Sequence, residues 1–231
     1  MNFVRPIILS LFFAACFLRA ENAAQPLAGE TRLSAADAEK ILAELPAFKS
    51  PGPLKAKIMV ESDDLMGARK DEGELLIDPP SRVLRNFTKP KPKVWLLNGA
   101  LLQEYVPARK TVFVKDFSAA PNALKRIQSA FTGDLKGLRD VFDVAVFKNE
   151  EKNTYRFVLV PLKAEGAMYK RIEAKLEAKA IFFHEVIYLP ESGDKVVEKY
   201  SEIQAVPKPE GAAFELKLPD DVTRKTDKVS E

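Results

Sequence analysis

The residues able to do chemistry are few. His184 is the sole histidine of this 231-residue chain, and Cys16 its sole cysteine. One histidine cannot build a histidine metal cluster. His184 also sits between Phe183 and Glu185 in a run with strand composition, so a place on a sheet face is the plainer reading. The carboxylates are interleaved with Lys and Arg, as solvated faces are, and no isolated pair stands out for acid–base work. Neither a G-x-S-x-G elbow nor a phosphate loop occurs. The pattern points away from catalysis: no catalytic residue, metal or cofactor is expected.

Cys16 has two readings. Phe13-Ala14-Ala15-Cys16 has the small residues of a lipoprotein cleavage site, which would leave a lipidated N-terminal cysteine. Phe13 stands where Leu is usual, however, and apolar sequence continues past the cysteine. The second reading is therefore an unmodified cysteine inside an export signal. Residues 1–20 fit such a signal: Arg5 closes a short basic stretch, and Pro6 to Leu18 form an apolar core shorter than the roughly 20 residues a membrane span needs. Cleavage is expected after Ala20, or as late as Ala24. The mature chain then has no cysteine, although the export compartment would permit disulfides.

The formal net charge of +3 includes Arg5 and Arg19, so the mature chain is near neutral. Nothing in that balance suggests nucleic acid as a partner. With 46% hydrophobic and 30% charged residues, the chain can bury a core and keep a polar surface. Roughly 210 mature residues fit one domain.

The positioning elements follow from local pattern. Residues 21–33 are small and polar and read as a flexible lead-in. Ser34 is a good N-cap, Asp37 favours the positive helix end, and Ile41, Leu42 and Leu45 make an apolar stripe stopped by Pro46. Leu54 to Glu61 alternates as a strand. Further strands are expected at Glu74–Asp78, Arg82–Thr88, Val94–Leu97, Leu101–Val106 and Thr111–Lys115. Asn98-Gly99 between two apolar runs is a strong hairpin signal, read as a type I′ turn. After Pro121, the helical spacing of Leu124, Ile127 and Phe131 predicts a helix ended by Gly133. A shorter one is expected over Leu135–Asp140.

Strands resume at Val141–Lys148 and Tyr155–Pro161. Ala167 to Ala180 has helix propensity, but Ile172, Ala174 and Leu176 alternate, which beside the strand-like Ile181–Leu189 favours a hairpin. Lys195–Ala205 and Ala213–Leu218 are expected to complete the sheet, and Thr223 to Glu231 to fray. Strands at this regular spacing argue for a sandwich or barrel.

This ordered set resembles the LolA family of periplasmic lipoprotein carriers. The family's D-G-x-x-L-W-x-Y-x-P hairpin is matched by Asn98-Gly99-Ala100-Leu101-Leu102-Gln103-Glu104-Tyr105-Val106-Pro107. Its F-x-L-x-P-K strand is matched by Phe157 to Lys163, and its F-x-x-x-P-x-G-V close by Phe214 to Val222. The resemblance covers most of the mature chain. It implies an α+β, mostly β fold over 34–222: a half-open antiparallel β-barrel with an N-terminal helix and a helical lid. Residues 223–231 would form a flexible tail.

It further implies an apolar cavity for acyl chains, on Leu75, Ile77, Trp95, Leu97, Leu102, Phe157, Leu159, Phe214 and Leu216, with Leu124, Ile127 and Phe131 from the lid. The implied partners are acylated lipoproteins, an inner-membrane ABC transporter and an outer-membrane acceptor, and the carrier is expected to be monomeric. Where family members hold a lid-fastening arginine, this chain has Pro79, leaving Arg82 and Arg85 as the nearest substitutes. Lys89, Lys91 and Lys93, alternating with prolines, read either as a stiff soluble connection or as a contact for anionic lipid or an acidic partner. So charged a loop fits a carrier better than a LolB-like acceptor, which inserts an apolar residue into the membrane. A lipid-anchored acceptor, a carrier of another lipid or polyene tail, and a static interaction or sensor domain are the alternatives.

Overall fold

The computed structural model describes residues 24–49, 52–64, 67–132, 139–163, 169–190 and 194–230. The expected signal, Cys16 and most of the short helix expected over 135–140 lie outside them. So do the side chains of Ile127 and Phe131.

Thirteen strands form one sheet. In chain order they are β1 (Glu30–Arg32), β2 (Leu54–Asp64), β3 (Gly67–Asp78), β4 (Arg82–Lys89), β5 (Lys93–Asn98), β6 (Leu101–Val106), β7 (Thr111–Asp116), β8 (Phe142–Asn149), β9 (Thr154–Pro161), β10 (Tyr169–Glu177), β11 (Glu185–Pro190), β12 (Val196–Ala205) and β13 (Thr223–Lys228). Two antiparallel meanders, β2 to β7 and β8 to β12, are joined by the antiparallel pairing of β12 with β2. The sheet does not close: β1 ends it beside β8, and β13 ends it beside β7 in the single parallel pairing among the described residues. The architecture is thus an open antiparallel half-barrel.

Helices cover its inner face. Helix α1 (Ala35–Glu44) starts where Ser34 Oγ accepts the Asp37 N–H at 3.1 Å, the expected cap. Helix α2 (Pro46–Lys49) follows directly, and α3 (Pro121–Thr132) lies between the meanders. Ala38, Leu45 and Ala47 join Leu75, Ile77, Leu97, Phe157, Leu159 and Phe183 in one buried cluster. Phe48 stands edge-on to Phe157 at 5.4 Å and 5.9 Å from Phe183, a geometry that aromatic rings favour.

Several expectations are corrected. The hairpin turn is Gly99-Ala100, because Asn98 still pairs with Leu101. Gly99 alone has a positive φ, of 61°, so the turn is of the II′ kind, with glycine first, and not I′. Ala213–Leu218 is not a strand: a 3₁₀ turn at Gly211–Phe214 leads into irregular chain that buries Phe214 on the outer face. Leu216, in that same segment, is half-buried. The tail is no frayed end, since Thr223–Lys228 pairs with Thr111–Asp116 through backbone bonds that need no apolar side chain. Within the lead-in, Glu30–Arg32 pairs with Phe147–Asn149. The sheet therefore extends past both ends of 34–222. Within the segment expected over 167–180, Tyr169–Glu177 is strand β10, as its alternation indicated.

Candidate functional site

On β4, residues alternate between faces. Val83 and Phe87 belong to the inner core, so Arg85 points inward with them, while Arg82 points out. Arg85 is 5% exposed and forms a bidentate pair with Glu198 of β12, Nη1 to Oε1 at 2.6 Å and Nη2 to Oε2 at 3.0 Å. The Tyr188 hydroxyl donates to Glu198 Oε2 at 3.2 Å, and the Tyr200 hydroxyl donates to the same oxygen. The Tyr169 ring lies tilted against that of Tyr188, with ring centres 5.0 Å apart.

Burial, then the charge of Glu198, pushes the Tyr188 and Tyr200 hydroxyls well above their ordinary range, so both stay neutral donors. Burial alone would lower the Arg85 pKa, but the Glu198 carboxylate outweighs it and holds the guanidinium charged. A buried charge pair recovers its desolvation cost only when such hydrogen bonds complete it. With both oxygens engaged by Arg85 and two hydroxyls, the carboxylate is held as an acceptor.

Of the residues assigned to an apolar cavity, Leu75, Ile77, Leu97, Phe157 and Leu159 do meet on the inner face, each at most 2% exposed. Leu102 and Leu124 pack half-buried against them. Trp95 shares the face of Arg85, half-buried, and donates from Nε1 to Glu104 at 2.8 Å. Phe214 lies on the opposite face, where the Arg82 guanidinium sits 4.7 Å from its ring centre and Asn98 Nδ2 donates to its carbonyl at 3.2 Å. Arg82 also pairs with Asp78.

Of the three lysines, Lys93 folds over the Phe87 ring and pairs with Asp71 at 2.7 Å, and Lys89 meets Glu72 at 3.5 Å. Lys91 is exposed. Among the described residues, no group of His, Cys, Asp and Glu is arranged to hold a metal.

Two features were missed in the sequence reading. The Arg85–Glu198–Tyr188–Tyr200 cluster has a readable trace, because Arg85 falls between Val83 and Phe87 on one strand face. A cleft of about 460 Å³ has none. It opens where β1 leaves β8 and is walled by Leu33, Ala38, Phe142, Val144 and Leu162, with Arg32, Arg139 and Asp143 also lining it.

The arrangement defines a class, the helix-covered open half-barrel. No protein-family model matches the sequence, and no curated protein does either. Solved structures are similar, one of them closely enough to share the fold. An uncharacterized conserved protein from Thermus thermophilus is 13% identical, with a TM-score of 0.51 over 83% of this chain and 99% of its own. A LolA superfamily protein from Nitrosomonas europaea is 11% identical, with a TM-score of 0.42 over 78% of this chain and 97% of its own. The Pseudomonas aeruginosa MucA/MucB complex matches at 10% identity and 0.42, over 78% of this chain and 61% of the other. Among the described residues, no helix is long and apolar enough to cross a membrane.

Proposed function

We propose that this chain is a carrier that shields the acyl chains of lipoproteins between the half-barrel's inner face and its covering helices. The observation that supports this is the thinness of the cover. Over Leu75, Ile77, Phe157 and Leu159, the first helix contributes one buried residue, Ala38, with Ile41 and Leu42 half-buried and its cap Leu45 buried. The short second helix adds Ala47 and Phe48. A sheet face this apolar loses most of its shelter if so small a cover moves. Each methylene transferred from water contributes about 0.8 kcal/mol, so a sixteen-carbon chain offers on the order of 10 kcal/mol before costs. That is of the same order as what the few covering side chains supply on burial, so an acyl chain can compete with them for the face.

Binding without catalysis fits the same residues, since among the described residues His184 Nδ1 has no hydrogen-bond partner and the buried Glu198 carboxylate is engaged by Arg85 and two hydroxyls. On this reading the chain is exported to the periplasm, receives cargo from an inner-membrane ABC transporter and gives it to an outer-membrane acceptor. Native mass spectrometry of the mature protein, incubated with a palmitoylated peptide, tests it. A one-to-one complex that the unacylated peptide does not form is expected. Absence of any complex at saturating peptide rejects the reading.

A further inference from the structure

The fork between β1 and β8 leaves a strand edge open. The ladder between them runs from Glu30↔Asn149 to Arg32↔Phe147, and its last rung is the Leu33 N–H donating to the Val146 carbonyl at 2.9 Å. Beyond it the chain turns away into α1, and β8 continues to Phe142 paired only with β9 among the described residues. Backbone groups alternate in direction along a strand. Since Val146 faces β1, the N–H and C=O of Val144 and Phe142 face the same way, into the cleft of about 460 Å³.

The walls are apolar, from Leu33 and Ala38 on one side to Leu162, which is 58% exposed, on the other. Three charged side chains line the cleft. Arg139 pairs with Glu39 at 2.6 Å, Asp143 is exposed, and Arg32 has no ion-pair partner among the described residues. The opposite end of the sheet is built differently. There β13 presents Thr-Arg-Lys-Thr-Asp-Lys, exposed throughout, and charge of that kind discourages strand addition.

We infer that this fork is a docking slot in which an extended, acidic peptide segment of a partner protein adds to β8 as a strand. The open backbone groups select a peptide over a hydrocarbon chain: a peptide satisfies Val144 N–H and C=O, whereas an acyl chain would bury them unpaired. Alternate apolar side chains would face the walls, and a carboxylate would meet Arg32. The size of the cleft lies within the usual range for ligand sites, about 300–1,000 Å³. The slot shares Ala38 with the cover of the inner face, but the inference does not require that face to carry a lipid.

The test uses the mature protein and a mixture of fluorescent octapeptides that alternate Glu or Thr with Val, Ile or Leu, read by anisotropy and by amide exchange. Saturable binding that slows exchange at Val144 is expected. Arg32→Glu, on an exposed side chain that leaves the fold intact, should weaken binding at least tenfold. Val144→Pro, which removes the N–H facing the cleft and none that bonds to β9, should abolish it, with retention of the fold checked by circular dichroism. Equal binding of lysine-for-glutamate peptides, unchanged exchange at Val144, or slowing of Val144 exchange by palmitate in place of the peptides would each overturn the inference.

Discussion

Arg85 and Glu198, 113 positions apart, meet as a bidentate ion pair buried on the inner face. Strands β2 and β3 lie between their own strands in the sheet. The pair thus ties β4 to β12 across the curve of the half-barrel. Removing one partner strands the other charge, which costs about 3–5 kcal/mol, whereas replacing both with apolar residues of similar volume is close to neutral. Glu198→Ala should therefore lower stability by about that amount in urea titration. The double change Arg85→Met with Glu198→Leu should recover most of it. A double variant as unstable as the sum of the singles would show that the pair is not coupled.

The same cluster sets an alkaline limit. Tyr169, Tyr188 and Tyr200 all have folded-state pKa values above the ordinary 10.0, chiefly through burial and the charge of Glu198. A raised tyrosine adds stability that is complete below its unfolded pKa and is lost as pH climbs toward the folded value. Stability should hold up to about pH 10 and fall beyond it. Absorbance at the tyrosinate band, followed against unfolding, checks this: these rings should ionise with unfolding and not before it.

At the other end of the sheet, Arg156 is stacked over the Phe147 ring at 4.4 Å and holds both oxygens of Glu30 as well as the Gln25 carbonyl. Burial would raise the Glu30 pKa, but the bonds from Arg156 and the Leu27 N–H overcome it, and the carboxyl lies below its ordinary 4.5. A depressed carboxyl stabilises above the ordinary value and loses that contribution as pH falls through its folded pKa. Amide protection of Thr31 should therefore drop below about pH 4.5 ahead of global unfolding. Glu30→Gln should show the weaker protection already at neutral pH.

Gly73 meets the β4 backbone so closely that an added Cβ would lie 2.2 Å from the Asn86 carbonyl oxygen and 2.7 Å from Phe87 Cα. Backbone cannot move aside as a side chain can. Gly73→Ala should cost about 1–3 kcal/mol, read as a lowered urea midpoint at unchanged slope. An unchanged midpoint would mean that the two strands separate freely there.

Much of this architecture is legible locally. Ser34 and Asp37 announce α1, Pro121 opens α3, and the alternation of Ile172, Ala174 and Leu176 marks β10 despite its helix-forming residues. The inner-face residues of β3, β5 and β9 could be read from their period of two. What failed was non-local. β13 carries no apolar face because both its faces meet solvent, so only its parallel partner, more than a hundred positions earlier, makes it a strand. Glu30–Arg32 was hidden in the same way, being held by β8 and Arg156. Phe214 looked like a strand residue, yet it anchors irregular chain through Arg82 and Asn98. The cleft at the β1–β8 fork arises from where two chain segments part, and no local pattern encodes that.

The central claim, that acyl chains lodge between the covering helices and the inner face, is tested most directly by methyl NMR of Leu75, Leu97 and Leu159 during titration with a palmitoylated peptide. The account predicts saturable shifts at all three, together with loss of contacts between Phe48 and Phe157, and no such change with the unacylated peptide. Unperturbed methyls under saturating acylated peptide would contradict it, and would leave these residues as a static core.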